Sequence, residues 1–185
     1  MPSTKTTISP SYRWRIGAVG LAMLAFGSWF LYDGMVAYPH KQNIQLEFQK
    51  VQKAYPESWQ PIWNELAADN GWSTSQPGEP MTDLDIYTQS VFAAICLPIG
   101  LLFGVGFIRA GRRWTAIDDQ ALTTHTGQQV AWDQITSIDK SRWETKGIAV
   151  VHYRQGDKVG RVVLDDWKFT REPTREILTQ LETHL

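Results

Sequence analysis

Few side chains in this sequence have the type and spacing that catalysis or metal binding requires. The four histidines lie far apart, at His40, His125, His152 and His184. None has the short, regular separation that places two imidazoles on one face of a helix around a metal ion. His125 and His152 are the pair that neighbouring strands could bring together, but no cysteine or carboxylate nearby completes a ligand set. We therefore predict no metal ion and no cofactor.

Two pairs of adjacent carboxylates are the other candidates for chemistry, Asp118-Asp119 and Asp165-Asp166. Neighbouring residues in a strand or tight turn point in opposite directions, so neither pair suits a shared acid–base site. Turn formation explains both pairs better. The chain also lacks a nucleophile elbow, a P-loop and a dinucleotide-binding glycine motif. We predict a protein without enzymatic activity.

Two long stretches of the chain contain no charged residue. They are Ile16–Tyr32 and Ile86–Ile108, of 17 and 23 residues. A helix needs about 20 largely apolar residues to cross a bilayer core of about 30 Å. The second stretch suffices alone and the first does when it is extended, so we predict transmembrane helices over residues 16–38 and 86–108. A cleaved signal peptide is the alternative for the first stretch, but the following YDGMVAYPH is a poor cleavage site.

The charges around these stretches indicate how the chain crosses the membrane. Basic residues precede the first stretch and follow the second: Lys5, Arg13, Arg15, Arg109, Arg112 and Arg113. Residues 33–85 contain three lysines, no arginine and eight acidic residues, which makes their net charge −5. Short segments rich in Lys and Arg stay in the cytoplasm. We therefore predict a hairpin in the cell (inner or plasma) membrane, with a cytoplasmic tail over residues 1–15, an extracytoplasmic loop over residues 39–85 and both termini cytoplasmic.

Small residues could let the two predicted spans approach closely, because helices in a bilayer associate by close packing. The second span carries Cys96, Gly100 and Gly104 on one face, and the first carries Ala18, Ala22 and Ala25 at comparable spacing. These faces could pack on each other, or either could meet another subunit. Neither span contains an ionisable residue, which argues against a proton relay or an ion pathway.

The outer loop has the pattern of two short helices. Apolar residues recur at helical spacing from Ile44 to Tyr55, Pro56 ends the first helix, and Ser58 can cap the second. Asn70-Gly71 is typical of the end of that second helix. We expect a helical cap near the membrane surface, and a sensing or docking surface is the alternative.

After Arg113 the periodicity changes from helical to strand-like. Six runs alternate between apolar and polar residues: Arg113–Ile117, Ala121–His125, Gln129–Trp132, Ile135–Asp139, Gly147–Arg154 and Lys158–Leu164. Gln155-Gly156-Asp157 separates the last two and predicts a hairpin. A final helix begins near Pro173 and carries an apolar stripe of Ile177, Leu178, Leu181 and Leu185. The predicted fold is therefore a membrane α-helical hairpin plus a small antiparallel β roll or sandwich, closed by a C-terminal helix.

This order of strands and a closing helix resembles the bacterial PH-like domains that adjoin membrane helices. The residues that carry the resemblance are WTAIDDQALTTHTG, QQVAWDQITSIDKSRW, GIAVVHYRQGDKVGRVVLDDWKF and PTREILTQLETHL, within residues 110–185. Six strands are recognised where such domains usually have seven. The resemblance implies a PH-like domain that binds lipid headgroups or peptides without catalysis.

A cluster of basic residues is the candidate binding surface of this domain. Its members are Arg112, Arg113, Lys140, Arg142 and Lys146, although residues 110–185 as a whole have 11 basic and 11 acidic side chains. Ordinary solvated charges, with the two arginines as topology anchors, are the alternative. A net charge of −1 for the chain gives no indication of nucleic-acid binding.

We predict a non-enzymatic integral membrane protein that mediates protein or membrane-surface interactions through its PH-like domain. Its predicted partners are the lipid bilayer and either another membrane protein or a second copy of the chain. An accessory or assembly subunit of a larger membrane complex is the alternative.

Overall fold

The computed structural model describes residues 3–79 and 81–185. The chain divides into two compact units, one extending to Gly20 and resuming at Leu102, the other comprising Leu21–Leu101. Helices occupy α1 Pro10–Tyr32, α2 Tyr38–Ala54, α3 Trp59–Asp69, α4 Asp83–Ala110, α5 Trp143–Lys146 and α6 Arg171–Thr183. Strands occupy β1 Thr4–Thr7, β2 Trp114–Ile117, β3 Ala121–Thr124, β4 Gln129–Ala131, β5 Ile135–Arg142, β6 Ile148–Gln155 and β7 Lys158–Asp165.

Two helices are long and apolar enough to cross a membrane. The first runs without a break over 45 residues from Pro10 to Ala54, because the π-helical turn Asp33–Ala37 joins α1 to α2. The second is α4, and only 11% of the most apolar window of each helix is buried within the chain. The core helix of a water-soluble protein would bury most of this surface, whereas most of it is exposed here.

Glycines bring α1 and α4 together in the second unit. A Cβ added at Gly27 would lie 2.8 Å from Leu97 Cγ, and one added at Gly100 would lie 2.7 Å from Leu24 Cγ. Both distances are shorter than any normal contact, so a leucine of each helix fits against a glycine of the other. Gly20, Gly27 and Gly34 are all buried and follow each other at intervals of seven residues. A seven-residue repeat keeps one narrow face toward a partner helix along its length.

The two helices predicted in the outer loop are observed as the second half of the long first helix and α3. Their contact is aromatic: Phe48 packs edge-on against Trp63, with ring centroids 5.1 Å apart, and Trp63 is fully buried. The first helix ends at Ala54 before Pro56, as predicted. Gly71, with φ +68°, lies just after the end of α3.

The β domain consists of two antiparallel sheets and the C-terminal helix. Among the described residues, one sheet has the order β1-β2-β3-β4 and the other the order β5-β6-β7. Its core is formed by apolar side chains from both sheets and α6, including Ile117, Leu122, Val151, Leu164, Ile177 and Leu181. All six predicted strands are present, as is the predicted helix, although Leu185 lies beyond it and is exposed. The predicted fold class is confirmed.

Strand β1 precedes the first helix and was not expected from the sequence. Its register pairs Thr4 with Ile117 and Thr7 with Trp114. The Thr6 hydroxyl lies 2.8 Å from the Thr174 hydroxyl of α6, and both side chains are buried. Hydrogen bonding of these hydroxyl groups lets a polar strand lie in the interior without an unpaired donor.

Candidate functional site

The first unit contains a cavity of about 450 Å³ where the ends of the apolar helices adjoin the β domain. One part of its wall is apolar and comes from the segment around α1 and from the end of α4; it includes Ile8, Tyr12, Ile16 and Ala110. Another part is basic and comes from the β domain and the turn that precedes it. Its basic side chains are Arg113, His125, Arg161 and Lys168. The cavity is therefore amphipathic.

Backbone contacts hold the start of α1 against the β domain and define one side of this cavity. Ile8 forms an isolated antiparallel bridge with Phe169, and the Ser9 N–H donates to the Lys168 carbonyl at 2.8 Å. The Tyr12 ring packs edge-on against Trp167, with ring centroids 5.3 Å apart. These contacts connect the start of α1 directly to the segment after β7. They therefore fix the position of the apolar residues at the start of α1 relative to Lys168 of the basic wall.

The basic wall carries more positive charge than its carboxylate can neutralise. Lys168 Nζ lies 3.1 Å from the Asp165 carboxylate, and that carboxylate also accepts the N–H groups of Trp167 and Lys168. Arg113 and Arg161 are exposed, and within the described part of the chain neither guanidinium forms an ion pair with a carboxylate. The hydroxyls of Thr124 and Thr126, 2.8 Å apart, also lie at the cavity. Such a wall is complementary to an anion.

The structure distributes the predicted basic cluster over two places. Arg112 and Arg113 follow α4, and Arg113 lines the amphipathic cavity. Lys140 forms a 2.6 Å ion pair with Glu182. Arg142 immediately precedes α5, Lys146 is the last residue of α5, and both are exposed. Arg161 and Lys168 also line this cavity and were not predicted from the sequence. Their only local signal is the outward position of Arg161 in the alternation of β7, because tertiary structure alone brings both to the cavity that Arg113 lines.

The predicted helix-packing residues also separate. Gly100 is buried against Leu24, Cys96 is half-buried, and a Cβ added at Gly104 would meet nothing within 4 Å. Ala18, Ala22 and Ala25 are exposed. The buried glycines of the long first helix Pro10–Ala54, rather than its alanines, form the close approach. The signal that could have identified them is their seven-residue spacing.

His152 and His184 each lie against other residues of the β domain. His184 packs on the Trp132 ring at 4.0 Å, and His152 pairs in register with Arg161. Over residues 3–79 and 81–185, no group of three or more His, Cys, Asp or Glu side chains is placed to hold a metal ion.

The predicted turn role is confirmed for one residue of each carboxylate pair. The Asp118 carboxylate accepts the backbone N–H groups of Gln120 and Ala121, each at 2.9 Å, and these bonds lower the pKa of Asp118 below its ordinary value of 3.8. The cause is stabilisation of the charged form by hydrogen bonding. In the second pair, the Asp165 carboxylate accepts backbone N–H groups as described above. Asp166 instead lies 3.2 Å from Arg175 Nε.

Comparison with known proteins gives no family. No family model, no curated protein and no solved structure matches this chain.

Proposed function

We propose that this chain is a non-enzymatic membrane protein whose β domain binds a ligand at the cytoplasmic membrane surface. The observation that carries the proposal is the amphipathic cavity, which Arg113 and Arg161 line together with the apolar ends of two membrane-length helices. A site built in this way can contact a molecule that is partly in the bilayer and partly in water.

The hairpin topology is supported by the pairing of β1 with β2. Because Thr7 and Trp114 are partners, the start of α1 and the end of α4 must lie on the same side of a membrane that both helices cross. The basic residues beside these helix ends and the acidic character of residues 33–85 support the cytoplasm as that side. A cleavage after α1 would remove β1 from its sheet, which favours an uncleaved anchor.

The PH-like assignment is supported by the number and order of the strands. Sheets of four and three antiparallel strands followed by a helix agree with the arrangement that the sequence resemblance implies. β1 supplies the seventh strand. In this interpretation the two membrane helices and the outer loop form the connection between the first two strands of the domain.

Topology is tested with single cysteines in a Cys96→Ala background. We expect a cysteine at exposed Ser75 to react with a membrane-impermeant maleimide in intact cells. A cysteine at exposed Asp157 should react only after permeabilisation. Equal labelling of both positions in intact cells would contradict the hairpin.

Binding is tested with a photo-reactive residue at Thr126, which lines the cavity, in the full chain within native membranes. We expect a lipid or a peptide to be cross-linked there. The matched control carries the same residue at Asp157, in the turn between β6 and β7. Absence of any adduct at Thr126 above this control would overturn the proposed binding function.

A second candidate function is that of an accessory subunit in a membrane complex. The observation that favours it is the exposed face of Ala18, Ala22 and Ala25, whose small side chains could admit a helix of another protein. Ala22→Leu combined with Ala25→Leu should then release the chain from a larger assembly on a native gel. Unchanged migration would eliminate this candidate.

A further inference from the structure

We infer that the amphipathic cavity binds the phosphate group of an anionic phospholipid from the leaflet next to the β domain. This inference rests on the proposed function and specifies the ligand. The shared chemistry is that of a phosphate ester, which a lipid or a soluble metabolite could carry. The basic wall and the apolar wall of the cavity together indicate which of these two phosphate esters it binds.

The basic wall is suited to phosphate. A guanidinium presents a planar set of N–H donors that bonds two oxygens of one phosphate at once. Arg113 and Arg161 have no carboxylate partner among the described residues, whereas Lys168 shares its charge with Asp165. An incoming phosphate therefore does not have to displace an internal ion pair from either arginine.

The apolar wall selects a lipid over a soluble phosphate. Ile16 begins the first uncharged stretch and Gly106 lies near the end of the second, so both belong to the predicted membrane-spanning segments. A Cβ added at Gly106 would lie 3.7 Å from Ile16, which is an ordinary contact. Because Gly106 lines the cavity, a larger side chain at this position would begin to fill it. Soluble phosphates have no apolar part to place against this wall, while an acyl chain does.

The amphipathic cavity is tested by native mass spectrometry of the delipidated full chain. The protein is titrated with phosphatidylglycerol and with phosphatidylcholine that has identical acyl chains. We expect preferential retention of phosphatidylglycerol. Arg113→Gln combined with Arg161→Gln should weaken that binding by roughly tenfold or more, as expected for loss of charged hydrogen-bond donors.

A charge-matched control carries Arg154→Gln and Lys158→Gln, two exposed basic residues outside the cavity. It should retain phosphatidylglycerol to within about twofold, since the loss in the test variant is a local bonding effect rather than a net-charge effect. An equal loss in both variants would overturn the inference. Circular dichroism and the cysteine assay verify that the Arg113 variant keeps its fold and topology.

A second arm separates lipid from soluble phosphate. Glycerol phosphate is added as a competitor, and Gly106→Leu is compared with Gly104→Leu, a position with open space around it. We expect weak competition, and loss of lipid only with Gly106→Leu. Competition by glycerol phosphate at the affinity of the lipid would overturn the lipid assignment.

Failure of the ligand assignment can be told from failure of the proposed function. Equal retention of both lipids, unaffected by the arginine substitutions, would overturn the inference. The binding function would survive that result if the residue at Thr126 still captured another molecule. The proposed binding function would also be overturned if the residue at Thr126 captured nothing.

Discussion

Thr7 and Trp114 are direct partners across β1 and β2, although both apolar helices and the segment that connects them lie between the two residues in sequence. The strand pair is thus continuous with the helix pair. α1 begins three residues after Thr7, and α4 ends four residues before Trp114. The β domain has no long linker with which to move away from the helix ends.

The Thr7–Trp114 pair predicts that a short turn can replace the helices and leave the β domain folded. Replacing residues 8–113 with Asn-Gly should give a soluble folded domain, because a two-residue turn of this type joins paired antiparallel strands. Cooperative thermal unfolding measured by circular dichroism checks this result. Residues 114–185 alone form the control and should be markedly less stable, since they lack β1. Equal stability of the two fragments would show that β1 is dispensable.

The hydroxyl contact between Thr6 and Thr174 predicts a cost for its removal. Thr6→Ala should lower the free energy of unfolding by about 1–2 kcal/mol, because a buried hydrogen bond and some packing are lost. Chemical denaturation of the soluble domain provides the measurement. Thr7→Ala, at the exposed neighbouring position, is the control and should have a much smaller effect.

Gly147 should tolerate no side chain. Its φ is +65°, and an added Cβ would clash with the carboxylate of Asp166. Gly147→Ala should therefore destabilise the domain by more than about 1 kcal/mol. Gly127→Ala is the matched control, since Gly127 has φ +80° but nothing within 4 Å of an added Cβ. A similar loss in both variants would mean that backbone conformation, and not the Asp166 contact, determines the effect.

The lowered pKa of Asp118 predicts a pH-dependent contribution to stability. A carboxylate whose pKa is depressed by folding stabilises the protein above its ordinary pKa and loses this contribution as the pH falls through the folded value. The melting temperature of the wild-type domain should therefore exceed that of Asp118→Asn at pH 7. The difference should shrink below pH 3.8, the ordinary value. A difference independent of pH would refute this role of the charge.

The glycine contacts between α1 and α4 predict position-specific effects in the full chain. Gly27→Leu and Gly100→Leu should each lower the thermal stability in detergent, because the new side chain would overlap Leu97 or Leu24. Overpacking of this kind typically costs about 1–3 kcal/mol. Gly104→Leu, with open space around it, should be close to neutral. Equal tolerance at all three positions would contradict the observed packing.

The regularly repeating elements could be predicted from the sequence because their signals are local. The uncharged stretches gave the two apolar helices, period-two alternation gave β2 to β7, and Gly156 marked the hairpin between β6 and β7. The C-terminal helix followed from its apolar stripe. In each case the residues that decide the structure lie within one turn or one strand of each other.

β1 could not be predicted in this way. Thr4–Thr7 is short and polar, and its sequence resembles a charged flank of a membrane helix. It becomes a strand because Trp114–Ile117 provides its hydrogen bonds and Thr174 receives its buried hydroxyl. Both partners are distant in sequence, so no local pattern contains this information.

The candidate site was only partly predictable for the same reason. Arg113 was identified beside the second apolar stretch, but Arg161 and Lys168 join it only through the packing of β7 and its following turn against the helix ends. By itself, the sequence determined the elements, their types and the charge at their ends, because these depend on neighbouring residues. Tertiary structure alone decided that the first strand closes the sheet and that apolar and basic residues line one cavity, because these contacts join segments that are distant in the sequence.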